Sequence, residues 1–289
     1  MTVVLITSAT GKQGDSLIKS IISRNAPFEI LAVTRDPTST SAQKLRNLSP
    51  SIKLVEGDLD NPAKIFQNTQ HLTSSPIWGV YSVQAAIGNS AEETQGKSLI
   101  NKALKQNVKF FVYSSVDRGG EEHSYTNPTK IPHFIKKHNI KHHLTILRPT
   151  AFYENLTPDF FGKIFATCFK IALKGKKLQI VATSNSRHFG ADAFLNPDQY
   201  KRRGVSLAGD KLSFKKIERI FVQKRGESLP IAFQPVYSLF IAIIKDIGYI
   251  FRWFYEERYR TDMRALRGVH PNMKDFETWL EMKSRFRKP

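Results

Sequence analysis

The chain has 289 residues, of which 40% are hydrophobic and 11% aromatic, a composition that is ordinary for a folded globular protein and excludes disorder as the main state. Its formal net charge is +19, and the basic excess is spread through both halves. No basic leader precedes the strand-like run at Val3, and the late apolar run at residues 239–244 is too short for a bilayer, so we expect neither a secretory signal nor a membrane span. Cys168, the only cysteine, cannot form an internal disulfide, which favours the cytoplasm or the nucleus.

The first half of the sequence alternates short apolar runs with amphipathic stretches, which is the pattern of repeated βα units feeding a parallel sheet. Strands are predicted at residues 3–7, 30–34, 52–56, 78–83, 110–114 and 144–147. Between them, apolar residues at helical spacing predict helices around residues 17–22 and 99–104.

After Pro149 the alternation weakens and helical patterns predominate. Helices are predicted over residues 159–173, 213–224, 236–255 and 273–285, with Ser213 placed to cap the second of them. The predicted fold class is therefore α/β: a Rossmann-type, doubly wound parallel sheet over residues 1–150. A smaller, mostly helical C-terminal subdomain over residues 151–289 is expected to complete a cleft.

Short basic clusters occur at residues 174–177, 201–203 and 285–288. They are either solvated surface or a contact for nucleic acid or an acidic partner. No groove-reading motif or stacking platform accompanies them, so no motif supports direct nucleic-acid binding. The eight histidines show no HExxH or Cys/His ligand spacing, and no metal site is predicted.

The turn between the first strand and the first helix contains the strongest binding motif. It consists of Ser8, Ala9, Thr10, Gly11, Lys12, Gln13 and Gly14. Its glycines would let the backbone approach a pyrophosphate at the helix N-terminus, where free N–H groups and the helix dipole favour negative charge. The alternative is a tight βα turn without a ligand, but the position after the first strand of a βαβ pattern favours a dinucleotide.

Arg35 follows the second strand, where a dinucleotide fold binds the adenosine ribose. A guanidinium at this point pairs with the 2′-phosphate of NADP(H), whereas a carboxylate accepts the 2′-OH of NAD(H). Asp36 is adjacent, and an exposed loop arginine without a ligand is the structural alternative. The sequence predicts NADP(H) in preference to NAD(H).

The glycine turn resembles the motif G-A-T-G-x-Q-G of the NmrA-like family, a group of atypical short-chain dehydrogenases. Further segments resemble that family in the family's order, at residues 33–36, 56–59, 113–120, 147–156, 206–210 and 275–280. Together they cover essentially the whole chain. The resemblance implies further cofactor contacts at Asp58, Leu59, Val83, Gln84, Ala85, Phe152, Tyr153, Glu154 and Asn155.

Two positions depart from the family pattern. Ser8 stands where the family has its first glycine, and its Cβ would crowd a turn that needs a positive φ but would cost little if φ is negative. Its hydroxyl could also bind a phosphate, and we expect weakened rather than abolished cofactor binding. Arg187 stands where the family commonly has a glycine, and we expect it to change the floor of the cleft.

The catalytic pair of a short-chain dehydrogenase, Tyr-x-x-x-Lys with a serine, is incomplete. Ser114 and Ser115 end the fifth strand at the place of the serine. Tyr125 and Lys130 have the wrong spacing to share a helix face, and Pro128 lies between them.

Lys137 lies in a segment that resembles the family helix whose lysine reaches the nicotinamide ribose. Related reductases use such a lysine as general acid or base, so Lys137 is the predicted catalytic residue and a cofactor contact. A solvated pair with Lys136 is the alternative, because a lysine needs burial or a partner to become reactive.

Three functions remain open at this point. The missing tyrosine and the basic surface favour an NADP(H)-binding sensor that binds a transcription factor or another regulatory protein, as the family resemblance implies. The second is an NAD(P)H-dependent oxidoreductase that uses Lys137 on a small carbonyl or enone. The third is a cofactor-free scaffold, which Ser8 motivates. Fold alone decides none of them.

Overall fold

The computed structural model describes residues 1–84, 92–117 and 144–286. The chain divides into two compact units. The first contains Met1–Val116, the described residues 144–148 and Ser186–Val205, and the second contains Pro149–Asn185 and the chain from Ser206. The segment Ser186–Val205 belongs to the first unit, although it follows residues of the second unit along the chain.

The described strands are β1 (Thr2–Ile6), β2 (Phe28–Thr34), β3 (Ile52–Glu56), β4 (Ile77–Val83), β5 (Phe110–Ser114), β6 (Leu144–Pro149), β7 (Ala151–Phe152), β8 (Leu178–Val181), β9 (Arg203–Leu207) and β10 (Asp210–Leu212). The described helices are α1 (Lys12–Ser23), α2 (Thr40–Arg46), α3 (Pro62–Thr69), α4 (Glu92–Lys105), α5 (Phe160–Ala172), α6 (Thr183–Leu195), α7 (Pro197–Tyr200), α8 (Phe214–Arg225), α9 (Gln234–Ile243), α10 (Lys245–Glu256), α11 (Met263–Val269) and α12 (Phe276–Met282).

The main sheet has the strand order β3-β2-β1-β4-β5-β6-β9, and β1 to β6 pair in parallel. Its central strands are nearly continuous apolar runs because helices cover both faces of a doubly wound sheet. Val3 to Ile6 of β1, for example, are completely buried. The predicted fold class is confirmed, and the six predicted strands agree with β1 to β6 to within two residues at each end.

Helix α6 explains why the chain returns to the first unit. Phe194 of this helix packs edge-on against Phe28 and Phe110 and lies 6.3 Å from the Trp78 ring. A Cβ on Gly79 would lie 2.9 Å from the Phe194 ring, so β4 has room for this aromatic side chain only because it carries a glycine there. No sequence periodicity marks this contact, since it depends on distant segments.

The second unit has a small sheet, β10-β8-β7, and a core that includes Tyr153, Phe169, Phe221 and Trp279. The helices predicted over residues 159–173 and 213–224 are confirmed as α5 and α8, and the Asp159 and Ser213 side chains accept hydrogen bonds from first-turn N–H groups.

The single helix predicted over residues 236–255 is wrong. The chain forms α9 and α10 there, separated at Ile244, whose backbone (φ −101°, ψ 79°) leaves the helical region. The helix predicted over residues 273–285 is shorter, at Phe276–Met282, and α11 was not predicted. No helix in the described ranges has the length and apolar character that crossing a bilayer requires.

Candidate nucleotide site

The predicted nucleotide contacts of the first unit lie along one edge of the sheet. Because β3, β2, β1 and β4 are parallel neighbours, their carboxyl ends share that edge. In order along it come Asp58 and Leu59 after β3, Arg35 after β2, the turn of residues 8–14 after β1, and Val83 with Gln84 at β4. The fold thus brings together side chains that are distant in the sequence.

The turn of residues 8–14 is fixed to the strands on both sides of β1. The Ala9 N–H donates to the Val33 carbonyl of β2 at 3.0 Å, and the Thr7 N–H donates to the Tyr81 carbonyl of β4 at 3.0 Å. Ala9 is buried, whereas Thr10, Gly11 and Lys12 are exposed. The exposed part is therefore presented on a rigid base.

Gly14 lets α1 approach the end of β1. A Cβ on Gly14 would lie 2.4 Å from the Ser8 carbonyl oxygen and 2.9 Å from Ala9 Cα, both backbone atoms. Gly11 caps the helix with φ −80° and has no side chain to accept the first-turn N–H groups. Those N–H groups and the helix dipole therefore point toward the position that an anion would occupy.

Ser8 has a left-handed backbone, with φ +49°, which is the case in which its Cβ carries a cost. This conformation costs a residue with a Cβ about 1–2 kcal/mol relative to glycine. The sequence suggested that the Ser8 hydroxyl could bind a phosphate. In the structure Ser8 Oγ instead donates a hydrogen bond to the Val83 carbonyl at 3.2 Å. That bond joins the turn to β4 and offsets part of the strain.

Gln13 links the turn of residues 8–14 to side chains of β4 and β5. Its Oε1 accepts hydrogen bonds from Ser114 Oγ at 2.6 Å and from the Tyr81 hydroxyl at 3.3 Å. Burial raises the pKa of Tyr81 to about 12, so its phenol keeps its proton. Tyr81 was missed from the sequence because it lies in an apolar run that predicts a core strand and nothing more.

Gln84 has a buried side-chain oxygen that faces no donor among the described residues. Its Nε2 donates to Ser82 Oγ at 2.7 Å, which fixes the amide. An unsatisfied buried acceptor is costly, and a ligand donor at this edge would satisfy it. Together with the open helix N-terminus, this acceptor fits the residues of a dinucleotide site. The neighbouring prediction, Ala85, lies outside the described residues.

Arg35 is exposed at the end of β2, and the adjacent carboxylate does not compete with it. Asp36 Oδ1 accepts hydrogen bonds from the Thr38 hydroxyl, the Thr38 N–H and the Ser39 N–H at 2.6, 2.8 and 3.2 Å. The bonds from Thr38 lower the pKa of Asp36. The carboxylate therefore serves its own loop, and Arg35 is the charged group available to a ribose substituent. Of the two predicted contacts after β3, Asp58 is exposed and Leu59 is half-buried.

Arg187, on α6, is half-buried. Burial lowers its pKa, the nearby Arg24 lowers it further, and Asp15 in the first turn of α1 raises it. This position thus adds a partly desolvated positive charge near the start of α1, where the resembled family commonly has a glycine. The expected effect on a cleft floor stays a prediction.

The four predicted contacts Phe152, Tyr153, Glu154 and Asn155 belong to the second unit. Tyr153 is completely buried and donates to Asp210 Oδ2 at 2.8 Å, and burial raises its pKa well above the usual range. The Glu154 carboxylate accepts from the Thr183 N–H and from Trp279 Nε1 at 3.0 Å each. The side chains of Tyr153 and Glu154 therefore hold this unit together, whereas Phe152 and Asn155 are half-buried.

Lys137, the predicted catalytic residue, lies outside the described residues, as do Tyr125 and Lys130. Ser114 is described, and its hydroxyl bonds to Gln13 rather than standing open at the strand end. In the part of the chain that the structure covers, no three His, Cys, Asp or Glu side chains cluster as a metal site would require.

Comparison with protein families gives a match to the NmrA-like family over residues 1–282. The chain belongs to the NmrA-like family. An NmrA-like family domain-containing oxidoreductase of Penicillium ochrochloron is 26% identical over 267 residues, covering 81% of this chain and 75% of the relative. Similar relatives from Aspergillus japonicus and other fungi also have names that include the word oxidoreductase.

Solved structures of low sequence identity share the fold. NmrA, a negative transcriptional regulator solved with NAD, superposes with a TM-score of 0.69 at 13% identity, covering 98% of this chain and 95% of that one. Triphenylmethane reductase of Citrobacter sp., solved with NADP(H), gives a TM-score of 0.72 at 16% identity, covering 97% and 99%. At these identities the likeness establishes the fold alone.

Proposed function

We propose that this NmrA-like protein is an NADP(H)-dependent oxidoreductase. The observation that carries the cofactor part is the uncapped N-terminus of α1, which lies beside Arg35 at the shared edge of β1 and β2. The helix N-terminus supplies N–H donors for a pyrophosphate, and the guanidinium supplies a pair of donors for a 2′-phosphate.

The choice between NADP(H) and NAD(H) depends on whether a guanidinium or a carboxylate lies at the adenosine ribose. NAD-selective sites place a carboxylate after the second strand. Here the carboxylate that follows Arg35 in the sequence is that of Asp36, and Thr38 and Ser39 already donate to it. Turning it toward a ribose would break three hydrogen bonds. Arg35 is therefore the residue that supports the proposed preference for NADP(H), since neighbours of this fold have been solved with either NAD or NADP(H).

The redox part is supported by the names of the relatives, which describe NmrA-like oxidoreductases. A bound nicotinamide would supply or accept a hydride. This chain would hold the pyrophosphate at residues 11–14, the 2′-phosphate at Arg35, and a donor of the ligand at the Gln84 oxygen. Lys137 is the proposed proton donor to the oxygen of a small carbonyl or enone as its carbon receives the hydride.

A cofactor sensor is the second candidate. The favouring observation is that Ser114 donates to Gln13, so the serine of the usual dehydrogenase pair serves the turn. NmrA, which shares this fold, is described as a negative transcriptional regulator. In this case the cofactor state would control the binding of a regulatory protein.

Cofactor titration followed by a turnover screen tests both candidates. The purified chain is titrated with NADP(H) and NAD(H), using nicotinamide fluorescence, and then incubated with NADPH and a panel of small aldehydes, ketones, enones and quinones. Tighter binding of NADP(H) with turnover supports the oxidoreductase. Tighter binding of NADP(H) without turnover of any panel member favours the sensor, and failure to bind either cofactor rejects both.

A further inference from the structure

The second unit exposes an aromatic surface that the nucleotide site does not use. We define the aromatic face as Phe160, Phe161, Phe233 and Phe240. The first two begin α5, Phe233 caps α9, and Phe240 lies on α9. Phe160, Phe161 and Phe233 are 48%, 68% and 75% exposed, although phenylalanine is usually buried.

The exposed rings of α5 are ordered by their neighbour on α9. The centroid of Phe240 lies 5.9 Å from that of Phe160 and 6.2 Å from that of Phe161, and all three pairs in this group meet edge to face. At the other end of α9, the Ala232 N–H donates to Thr167 Oγ1 of α5 at 2.8 Å, which brings Phe233 alongside the same helix. A fixed apolar face of this kind marks an interaction site.

The charged residues around the aromatic face indicate which kind of partner would bind it. Helix α9 contains no charged residue, and α5 with the turn after it, residues 160–177, contains five lysines and no acid. Lys170 and Lys174 are exposed toward the other end of α5, with their ammonium groups 5.6 Å and 5.5 Å from the ring centroids of Phe214 and Tyr255. Arg285, which is exposed, acts electrostatically on the Asp159 carboxylate that caps α5 beside Phe160. The Asp159 carboxylate is itself bonded to Gly162 N and to the Thr157 hydroxyl. The helix that carries Phe160 and Phe161 is therefore positively charged, and an arginine acts at its capped end.

Exposed aromatic side chains on a lysine-rich helix match the surface of an anionic bilayer, where rings enter the headgroup region and lysines meet lipid phosphates and carboxylates. We propose that the second unit adsorbs to anionic membrane surfaces through the aromatic face. The protein then lies on the membrane without spanning it. This proposal does not depend on the proposed oxidoreductase activity.

Vesicle sedimentation tests the proposal directly. The full chain is mixed with vesicles of phosphatidylcholine alone or of phosphatidylcholine and phosphatidylserine in equal parts. We expect binding to the anionic vesicles only. The double variant Phe161→Ser/Phe233→Ser should bind at least about 100-fold more weakly, because two rings no longer enter the interface. Lys170→Glu/Lys174→Glu should weaken binding about tenfold or more.

Two further variants keep the result interpretable. Leu104→Ser removes an apolar side chain of α4 that is 46% exposed in the first unit, and it should bind like the unmodified chain. Phe161→Trp should retain binding and give a blue-shifted tryptophan emission when anionic vesicles are added. Thermal melting of each variant checks that it is folded.

Several results would overturn the proposal. Equal vesicle binding by the Phe→Ser double variant and the unmodified chain would mean that the lysines alone bind the lipid and that the aromatic face has no part in it. Absence of binding to anionic vesicles at low salt would reject the membrane as the occupant. A dimer that the Phe→Ser variant dissociates, without vesicle binding, would assign the face to a second copy of the chain.

Discussion

The close approach of α1 to β1 predicts different effects on stability for alanine at two glycines of one turn. In Gly14→Ala the new Cβ would lie 2.4 Å from the Ser8 carbonyl oxygen, and that backbone is fixed by the bond from Ala9 to Val33. In Gly11→Ala the nearest atom is the same oxygen at 3.1 Å, and φ −80° suits any residue. The two variants therefore separate the fold from ligand binding.

The magnitudes follow from overpacking and helix propensity. Inserting a methyl group against fixed backbone costs about 1–3 kcal/mol, and alanine in a helix regains about 1 kcal/mol over glycine. Because both contacts of Gly14 are with backbone, we use the upper end and expect a net loss of about 2 kcal/mol, which lowers Tm by roughly 4–8 °C. Gly11→Ala should lose less than about 1 kcal/mol, as alanine caps a helix less well than glycine.

Differential scanning fluorimetry and NADPH fluorescence titration measure the two effects on the same samples. Gly11→Ala should melt close to the unmodified chain but bind NADPH about tenfold or more weakly, because its Cβ intrudes where the pyrophosphate must approach. Gly14→Ala should lose both stability and binding. An unchanged Tm for Gly14→Ala would refute the claim that the turn is rigid, and unchanged binding in Gly11→Ala would remove the pyrophosphate from this site.

Four other substitutions test single residues. Arg35→Ala should weaken NADP(H) binding about tenfold or more and leave NAD(H) binding nearly unchanged, since a charge-assisted bond contributes roughly 1.5–3 kcal/mol; equal losses would reject its role with the 2′-phosphate. Ser8→Gly relieves a backbone strain of about 1–2 kcal/mol and loses a hydrogen bond of about 1 kcal/mol, so its chemical denaturation midpoint should barely move while cofactor binding strengthens; weaker binding would show that the hydroxyl is a ligand. Lys137→Met should lower turnover by roughly 100-fold or more at saturating cofactor if the chain is an oxidoreductase, and it should change only cofactor affinity if it is a sensor. Ser114→Ala should raise the cofactor Kd severalfold and leave kcat unchanged, since a neutral hydrogen bond contributes about 1 kcal/mol; a fall in kcat at saturating cofactor would give Ser114 a catalytic role.

The sequence predicted β1 to β6 of the main sheet, because buried parallel strands are continuous apolar runs bounded by turns, but it did not predict the edge strand β9. It did not predict the small sheet of the second unit, since β7 and β10 have two and three residues and show no periodicity. The break at Ile244 was also missed, because neither glycine nor proline marks it. Both features are decided by tertiary packing.

The same distinction applies to the nucleotide site. Its glycines and Arg35 could be predicted because their spacing from strand ends carries a physical meaning. The partners of Asp36 could not, although they decide how Arg35 is interpreted, since the three bonds exist only in the folded loop. The roles of Tyr153 and Glu154 likewise required the positions of Asp210 and Trp279, which are far along the chain.

The hydroxyl groups near the turn bear on where a proton for reduction would come from. Tyr81 is buried with its pKa raised to about 12 and points its hydroxyl at Gln13, so at neutral pH it neither ionises nor meets solvent. Ser114 donates to the same oxygen at 2.6 Å. Both hydroxyls therefore stabilise the turn that is proposed to bind the cofactor. A reductase built on this site must take its proton from a group beyond these strand ends, and Lys137 is the residue that the sequence offers for that task.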